Sequence, residues 1–325
     1  MRPIAPIDLY FLILIAVIRV LSWFPFRPVR MAVARLLTGL AWHLSRSKKS
    51  EIKRAIVLAF GGRLSEQELA RIARESMFNS WLEIIGSMPN GIDVAATRDA
   101  RVIGWEHLER ALAAGKGVIL WENGSFGRRF WAKQVLFHKG VLVHQIHGAK
   151  HLGNLDTHRT RTTWVRQNVI HRILDDAEKP YLAELIILPS GGDLAYGRRL
   201  LRELGKNAVV CLAADGTAGA RLLAVPFLGT EHPFSSGMVS LARLSGAVIL
   251  PIVCLEMDDG RACLTIEQAI RLGEDDQRSS QTGQIVLQYA RLMEGHIRRQ
   301  PGAYRNWHVS AWRHHRSLGH PERPQ

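Results

Sequence analysis

Ser125 stands in the stretch WENGSFGRRF, residues 121–130, with Gly124 before it and Gly127 two positions after, directly behind the apolar run Val118–Leu120. A serine hydroxyl on such a turn acts as a nucleophile only when a base and an orienting acid reach it, and neither a histidine nor a carboxylate follows within the turn. Arg128 and Arg129 come next. Consecutive cations at the start of a helix oppose its dipole and invite an anion such as a phosphate; the plainer alternative is that one arginine faces solvent while the other pairs with a nearby carboxylate. A second polar turn, DGTAGAR at 215–221, offers Asp215 as an acid, Gly216 for close backbone approach, Thr217 as a hydrogen-bond donor and Arg221 for an anionic group. An ordinary Asp-Gly β-turn uses the same dipeptide with no chemistry attached. A third glycine-rich turn is LPSGGD at 188–193.

Each turn follows a short apolar run, and the runs alternate with helical periods. Strands are predicted in KGVILWEN (116–123), VLVHQIH (141–147), ELIILPS (184–190), NAVVCLAADG (207–216), AVILPIVCLEM (247–257) and ACLTIEQAI (262–270). Helical spacing marks 105–115, 128–140, 193–205, 235–246 and a last helix over 279–302. The alternation argues for an α/β fold whose mixed, mostly parallel sheet is flanked by helices. Ligands in such sheets collect at the carboxyl ends of the strands, so the polar turns are expected to converge there.

The chain has 325 residues and a formal charge of +14. Ten basic side chains against Asp8 and Glu51 fall in residues 1–60, so more than half of the excess lies in the first fifth. That points toward anionic lipid, phosphate or an acidic partner. The run LYFLILIAVI at 9–18 is short for a bilayer span, has Arg19 behind it, and offers no small-residue cleavage site, so a retained anchor over 1–26 is expected. Residues 27–90 form a basic helical subdomain by this reading, with Trp23 and Trp42 at interfacial depth and a capping box at Ser65 and Glu68 opening a helix over 64–88. The α/β domain is expected over 91–312 and a mobile tail over 313–325. Cys211, Cys254 and Cys263 lie in apolar stretches without metal-ligand spacing and read as buried thiols; no metal is expected. The basic run at 158–172 reads as a solvated amphipathic helix, and nucleic-acid binding is not expected.

GKGVILWENGSFGRRF, NAVVCLAADGTAGARLLAVPFLG, SSGMVSLARLSGAVILPIV and PGAYRNWHVSAW, in that order across residues 100–312, resemble the lysophospholipid and lipid A late acyltransferases of the bacterial lauroyl/myristoyl type. The basic apolar N-terminus resembles theirs too. The resemblance implies transfer of a fatty acyl group from acyl carrier protein or acyl-CoA to a hydroxyl of a membrane lipid or glycolipid, without a cofactor, by a monomer on the cytoplasmic face of a bacterial inner membrane. In that family a Gly-His-Phe-Gly-type turn carries a base, with a carboxylate five residues after the histidine to orient it. Here Ser125 overlays the histidine and Phe130 the carboxylate.

That exchange leaves two readings. In the first, a working enzyme has changed its base: Asp215 or one of His144 and His147 is recruited, or Ser125 is the nucleophile, since Asn123–Gly127 resembles the small-x-Ser-x-small elbow of α/β-hydrolases. Ser125 and Asp215 then line the reacting centre, Gly124, Gly216 and Thr217 contact the acceptor, and Arg128 and Arg221 neutralise phosphate. In the second, the fold binds lipid or acyl carrier as a scaffold or regulator without turnover.

Overall fold

The computed structural model describes residues 3–21, 27–87, 94–148, 163–188, 194–213, 222–270 and 278–307. The elements run α1 (Pro6–Leu21), α2 (Arg27–Leu44), α3 (Arg46–Phe60), α4 (Glu66–Gly86), α5 (Val94–Arg98), β1 (Arg101–Ile103), α6 (Trp105–Ala113), β2 (Val118–Glu122), α7 (Arg129–His138), β3 (Val143–Gly148), α8 (His171–Glu178), β4 (Leu182–Leu188), α9 (Leu194–Gly205), β5 (Val209–Ala213), β6 (Leu222–Phe227), β7 (Thr230–Ser235), α10 (Gly237–Ser245), β8 (Val248–Glu256), β9 (Ala262–Ile266) and α11 (Arg278–Arg299).

Seven strands form one sheet in the order β1-β9-β8-β2-β5-β3-β4, parallel at every pairing except β8 with β9. Successive side chains of a strand face opposite ways, so a strand covered on both sides reads as a continuous apolar run. β2 does so: Ile119 and Trp121 join one core with α3, α4, α10 and α11, while Val118 and Leu120 join a second with α6 and α7. Residues 27–87 do not pack apart from the sheet. Ile56, Ile72 and Met77 of α3 and α4 share the first core with Tyr289 and Met293 of α11.

The capping box at the start of α4 is present. Glu68 N donates to Ser65 Oγ at 3.3 Å and Ser65 N to Glu68 Oε2 at 2.8 Å. Not foreseen is the antiparallel hairpin β6–β7, whose two-residue turn places Leu228 at φ 51° and Gly229 at φ 76°. Pro226 and Pro233 obscured it, because proline within an apolar run argues against a strand. Here β6 and β7 pair only with each other, so neither proline removes a bond from the main sheet.

Two expectations about the basic segments need correction, and Trp23 lies outside the described residues. Trp42 is not at an interface: it is buried in the first core, with the Arg74 and Lys49 cations 4.6 and 5.0 Å from its ring centre. Arg166, expected on a solvated helix face, is 2% exposed and donates through Nε and Nη2 to Asp8 Oδ1 at 3.0 and 2.9 Å. That ion pair, with Thr163 Oγ1 donating to Asp8 Oδ2 at 2.6 Å, ties α1 to the helix leading into α8. Phe11 and Ile15 of α1 are buried against Ala34, Ile85 and Ile170. Among the described residues no helix is long and apolar enough to cross a membrane. Cys211 and Cys254 are buried free thiols and Cys263 is partly exposed; burial pushes the first two far up in pKa.

Candidate active site

The carboxyl ends of β2, β5, β3, β4 and β8 lie along one edge of the sheet, because all five run the same way. At that edge Glu122 of β2 pairs in register with Ala213 of β5. The turn that carries Gly124 and Ser125 therefore leaves the sheet beside the point where the chain departs toward Asp215. Asp215, Gly216, Thr217 and Arg221 themselves lie outside the described residues.

Turn 123–128 is held from three directions. Ser125 N donates to Asn123 Oδ1 at 2.9 Å, an Asx turn made by the turn's own first residue. Arg128 N donates to Cys254 O of β8 at 2.8 Å. From the far end of the chain, Arg305 N donates to Ser125 O at 2.8 Å and Arg305 Nη2 to Gly124 O at 3.2 Å, while Gly127 N donates to Ala303 O at 3.2 Å. Gly127 is required: its φ is +70° and a Cβ there would stand 2.2 Å from Cys254 O. The PGAYRNW segment thus works as a strap across the turn, and α4 holds the strap in place, with Ser76 Oγ donating to Tyr304 O at 2.7 Å and Asn79 Nδ2 to Gly302 O at 2.8 Å.

Ser125 is 7% exposed, and among the described residues its Oγ makes no hydrogen bond. Asn123 Nδ2 is likewise buried without a partner among them. The turn's backbone is preorganised, and among the described residues no acid or base is hydrogen-bonded to the Ser125 hydroxyl.

The two arginines are both consumed inside the protein, and neither faces solvent. Arg128 donates through Nη1 to Asn79 O at 3.2 Å, and through Nη2 to Asn79 Oδ1 and Glu256 Oε2, each at 3.0 Å. Arg129 donates to Glu122 Oε1 through Nε at 3.1 Å and Nη2 at 2.9 Å, and its Nη2 lies 3.3 Å from His147 Nε2. The helix start is answered by a protein carboxylate: Arg129 N donates to Glu83 Oε1 at 3.2 Å.

Behind the turn lies a buried charge cluster. Glu122 pairs with both Arg129 and Lys133 and accepts from Gln145 Nε2 at 3.1 Å. Burial alone would raise its pKa, but the two cations outweigh it and hold the carboxyl down at about 2. Glu178 Oε2 lies 3.4 Å from His147 Nε2. Burial pushes Glu178 up to about 7, against the pull of Lys133 and Arg129. The only advance signal was chemical: Glu122 and Lys133 are charged residues inside apolar patterns, and such groups are buried only when paired. His144 sits elsewhere, its Nδ1 3.6 Å from Glu184 Oε2.

Residues 159–314 match the family model for bacterial lipid A biosynthesis acyltransferases. The match begins after turn 123–128, so Ser125 and Phe130 lie outside it. Among solved structures, the 1-acyl-sn-glycerophosphate (LPA) acyltransferase PlsC from Thermotoga maritima aligns over 84% of this chain and 98% of its own, at 11% identity and a TM-score of 0.39. No curated protein matches the chain. Over residues 159–314, just under half of its length, the chain is thus similar to the bacterial lipid A biosynthesis acyltransferases.

Proposed function

We propose that the protein transfers a fatty acyl group from a thioester, acyl carrier protein or acyl-CoA, to a hydroxyl of a membrane lipid or glycolipid, working from the surface of a bilayer. The family match over 159–314 carries the reaction class. In the reaction the acceptor oxygen bonds to the thioester carbonyl carbon, its proton goes to a base, and the thiolate leaves and is reprotonated. Asp215, on the segment departing beside Glu122, is the candidate base, and Gly216 and Thr217 are the candidate acceptor contacts. If Ser125 is the nucleophile instead, its oxygen takes the acyl group first as an ester and passes it on in a second step.

The outer faces of the first helices support the bilayer surface as the place of work. Leu9, Ile13, Val17 and Val20 of α1 and Leu36, Leu40 and Leu44 of α2 are exposed. With Ile4 they are eight of the eighteen exposed large apolar side chains among the described residues, concentrated in the first 44 residues beside a dense run of positive charge. Apolar faces flanked by Arg and Lys suit a helix lying in the headgroup layer, with no need for a span. The cytoplasmic face of an inner membrane is the corresponding location, and an acidic carrier would be steered by the +14 charge.

A second reading, a lipid or carrier binder without turnover, is favoured by one observation. Ser125 and Phe130 replace the proton-handling pair, and the arginines that follow Ser125 are spent on Glu256, Asn79 and Glu122. An assay with carrier-linked and CoA-linked acyl donors and membrane lipid extract separates the two. Transfer by wild type that falls at least about 100-fold in Asp215→Ala supports catalysis through Asp215. Transfer surviving Asp215→Ala but lost in Ser125→Ala moves the chemistry to the serine. No transfer with lipid binding retained leaves the non-catalytic reading.

A further inference from the structure

On the outer side of turn 123–128 a shallow cleft of about 30 Å³, open to solvent, lies between α2, the end of α4 and the start of α7. Its wall is apolar, made by Met31 of α2, Leu82 and Ile85 of α4, and Phe130 and Trp131 of α7. Its rim is cationic: Arg27, Arg30 and Arg128 stand against Glu83 and Glu256. Glu83 is met from outside the cleft by Arg305 at 3.6 Å. Glu256 is shared, Oε1 accepting from Arg27 Nη2 at 2.9 Å and Oε2 from Arg128 Nη2 at 3.0 Å, so two guanidinium groups meet one carboxylate.

Arg27 is set in place before any ligand arrives. Its Nη1 donates to Asp259 O at 3.2 Å, and its guanidinium lies against Gly260, where a Cβ would come within 2.0 Å of Cζ. Its side chain remains 39% exposed. A guanidinium fixed in orientation, partly exposed and with donors to spare is a preorganised receptor for a phosphate. The same helix turns Ala32, Leu36 and Leu40 outward to solvent.

We propose that this cleft binds the phosphate head group of an anionic bilayer phospholipid, with Arg27 and Arg30 on the phosphate and Met31, Leu82 and Trp131 against the first carbons of its chains. The fixed, partly exposed guanidinium of Arg27 selects an anion, the apolar wall selects an amphiphile over a free ion, and the small open volume leaves the rest of the chains in the bilayer. Phe130 acquires a role here. Where the resembling enzymes carry a carboxylate, this chain places an apolar ring in the wall of a phosphate site, and a carboxylate there would repel the ligand. The inference rests on the bilayer-surface reading and specifies the lipid that reading would meet.

The test uses dihexanoyl phosphatidic acid as a soluble probe, with dihexanoyl phosphatidylcholine and inorganic phosphate beside it, followed by tryptophan fluorescence of the full chain. Trp131→Phe identifies the reporter. Saturable binding of the phosphatidic acid is expected, weakened about tenfold or more in Arg27→Gln and unchanged in Arg35→Gln, whose side chain is exposed on α2 and does not line the cleft. Arg30→Gln serves as the second variant, with thermal denaturation confirming that each folds. Equal affinity for the two lipids, unchanged binding in both cleft variants, or inorganic phosphate binding as tightly as the lipid would each overturn the assignment. Vesicle flotation run in parallel separates the two levels. Vesicle binding without probe binding removes the cleft alone, and probe binding without vesicle binding removes the bilayer reading alone.

Discussion

Turn 123–129 and helix α2 both set arginines beside apolar surface, and they finish them in opposite ways. At the turn, Arg128 and Arg129 are drawn inside and matched to Asn79, Glu256 and Glu122. On α2, Arg27 stays at a rim, held by one carboxylate it shares and one backbone oxygen. The closed arrangement stabilises a backbone shape and has no donors aimed at a ligand. The open one contributes little to the fold and keeps its capacity for an anion. The turn is thus the more structural of the two, and the proposed lipid cleft lies beside it.

If that contrast is right, the largest effect on stability comes from the closed region. Glu122→Gln keeps the shape but removes the carboxylate that Arg129 and Lys133 both touch, and chemical denaturation should show a loss of about 3–5 kcal/mol. A loss below about 1 kcal/mol would mean that water reaches the cluster. A smaller, pH-dependent effect belongs to Glu178. Its pKa is raised from 4.5 to about 7 in the folded protein, so the folded state binds more protons than the unfolded one between those values. Its contribution is present in full below about pH 4.5 and is lost as pH rises through 7. Glu178→Gln should therefore flatten the decline of the denaturation midpoint over this window, and an unchanged slope would remove Glu178 as its cause.

The smallest stability effect is expected on the open side. Leu36→Asp with Leu40→Asp should shift unfolding by no more than about 0.5 kcal/mol per site, because both side chains already face solvent. Flotation with anionic vesicles should nevertheless be lost. Retained flotation would show that these faces do not meet lipid.

Much of the fold was readable along the chain. The apolar runs of β2, β3, β4, β5, β8 and β9 and the periodicity of α4, α6, α7, α9, α10 and α11 are local signals, and Ser65 with Glu68 capped α4 as their spacing requires. The hairpin β6–β7 was hidden by two prolines, which are tolerated because both strands lie outside the main sheet. Within the site, the sequence picked out the turn itself and weighed one arginine pairing with a nearby carboxylate, as Arg129 does with Glu122; it did not anticipate the strap from residues 301–307 or the burial of both arginines.

What the sequence determined by itself was most of the elements and the place of turn 123–128 at the end of β2, because those depend on neighbours one to five residues apart. Only the tertiary structure decided which charges are free. Asp8 meets Arg166 across 158 positions and Arg128 meets Glu256 across 128, and an ionised side chain has no local rule that says whether water or a distant partner will satisfy it. Burial sets that demand, and burial is a property of the packed chain.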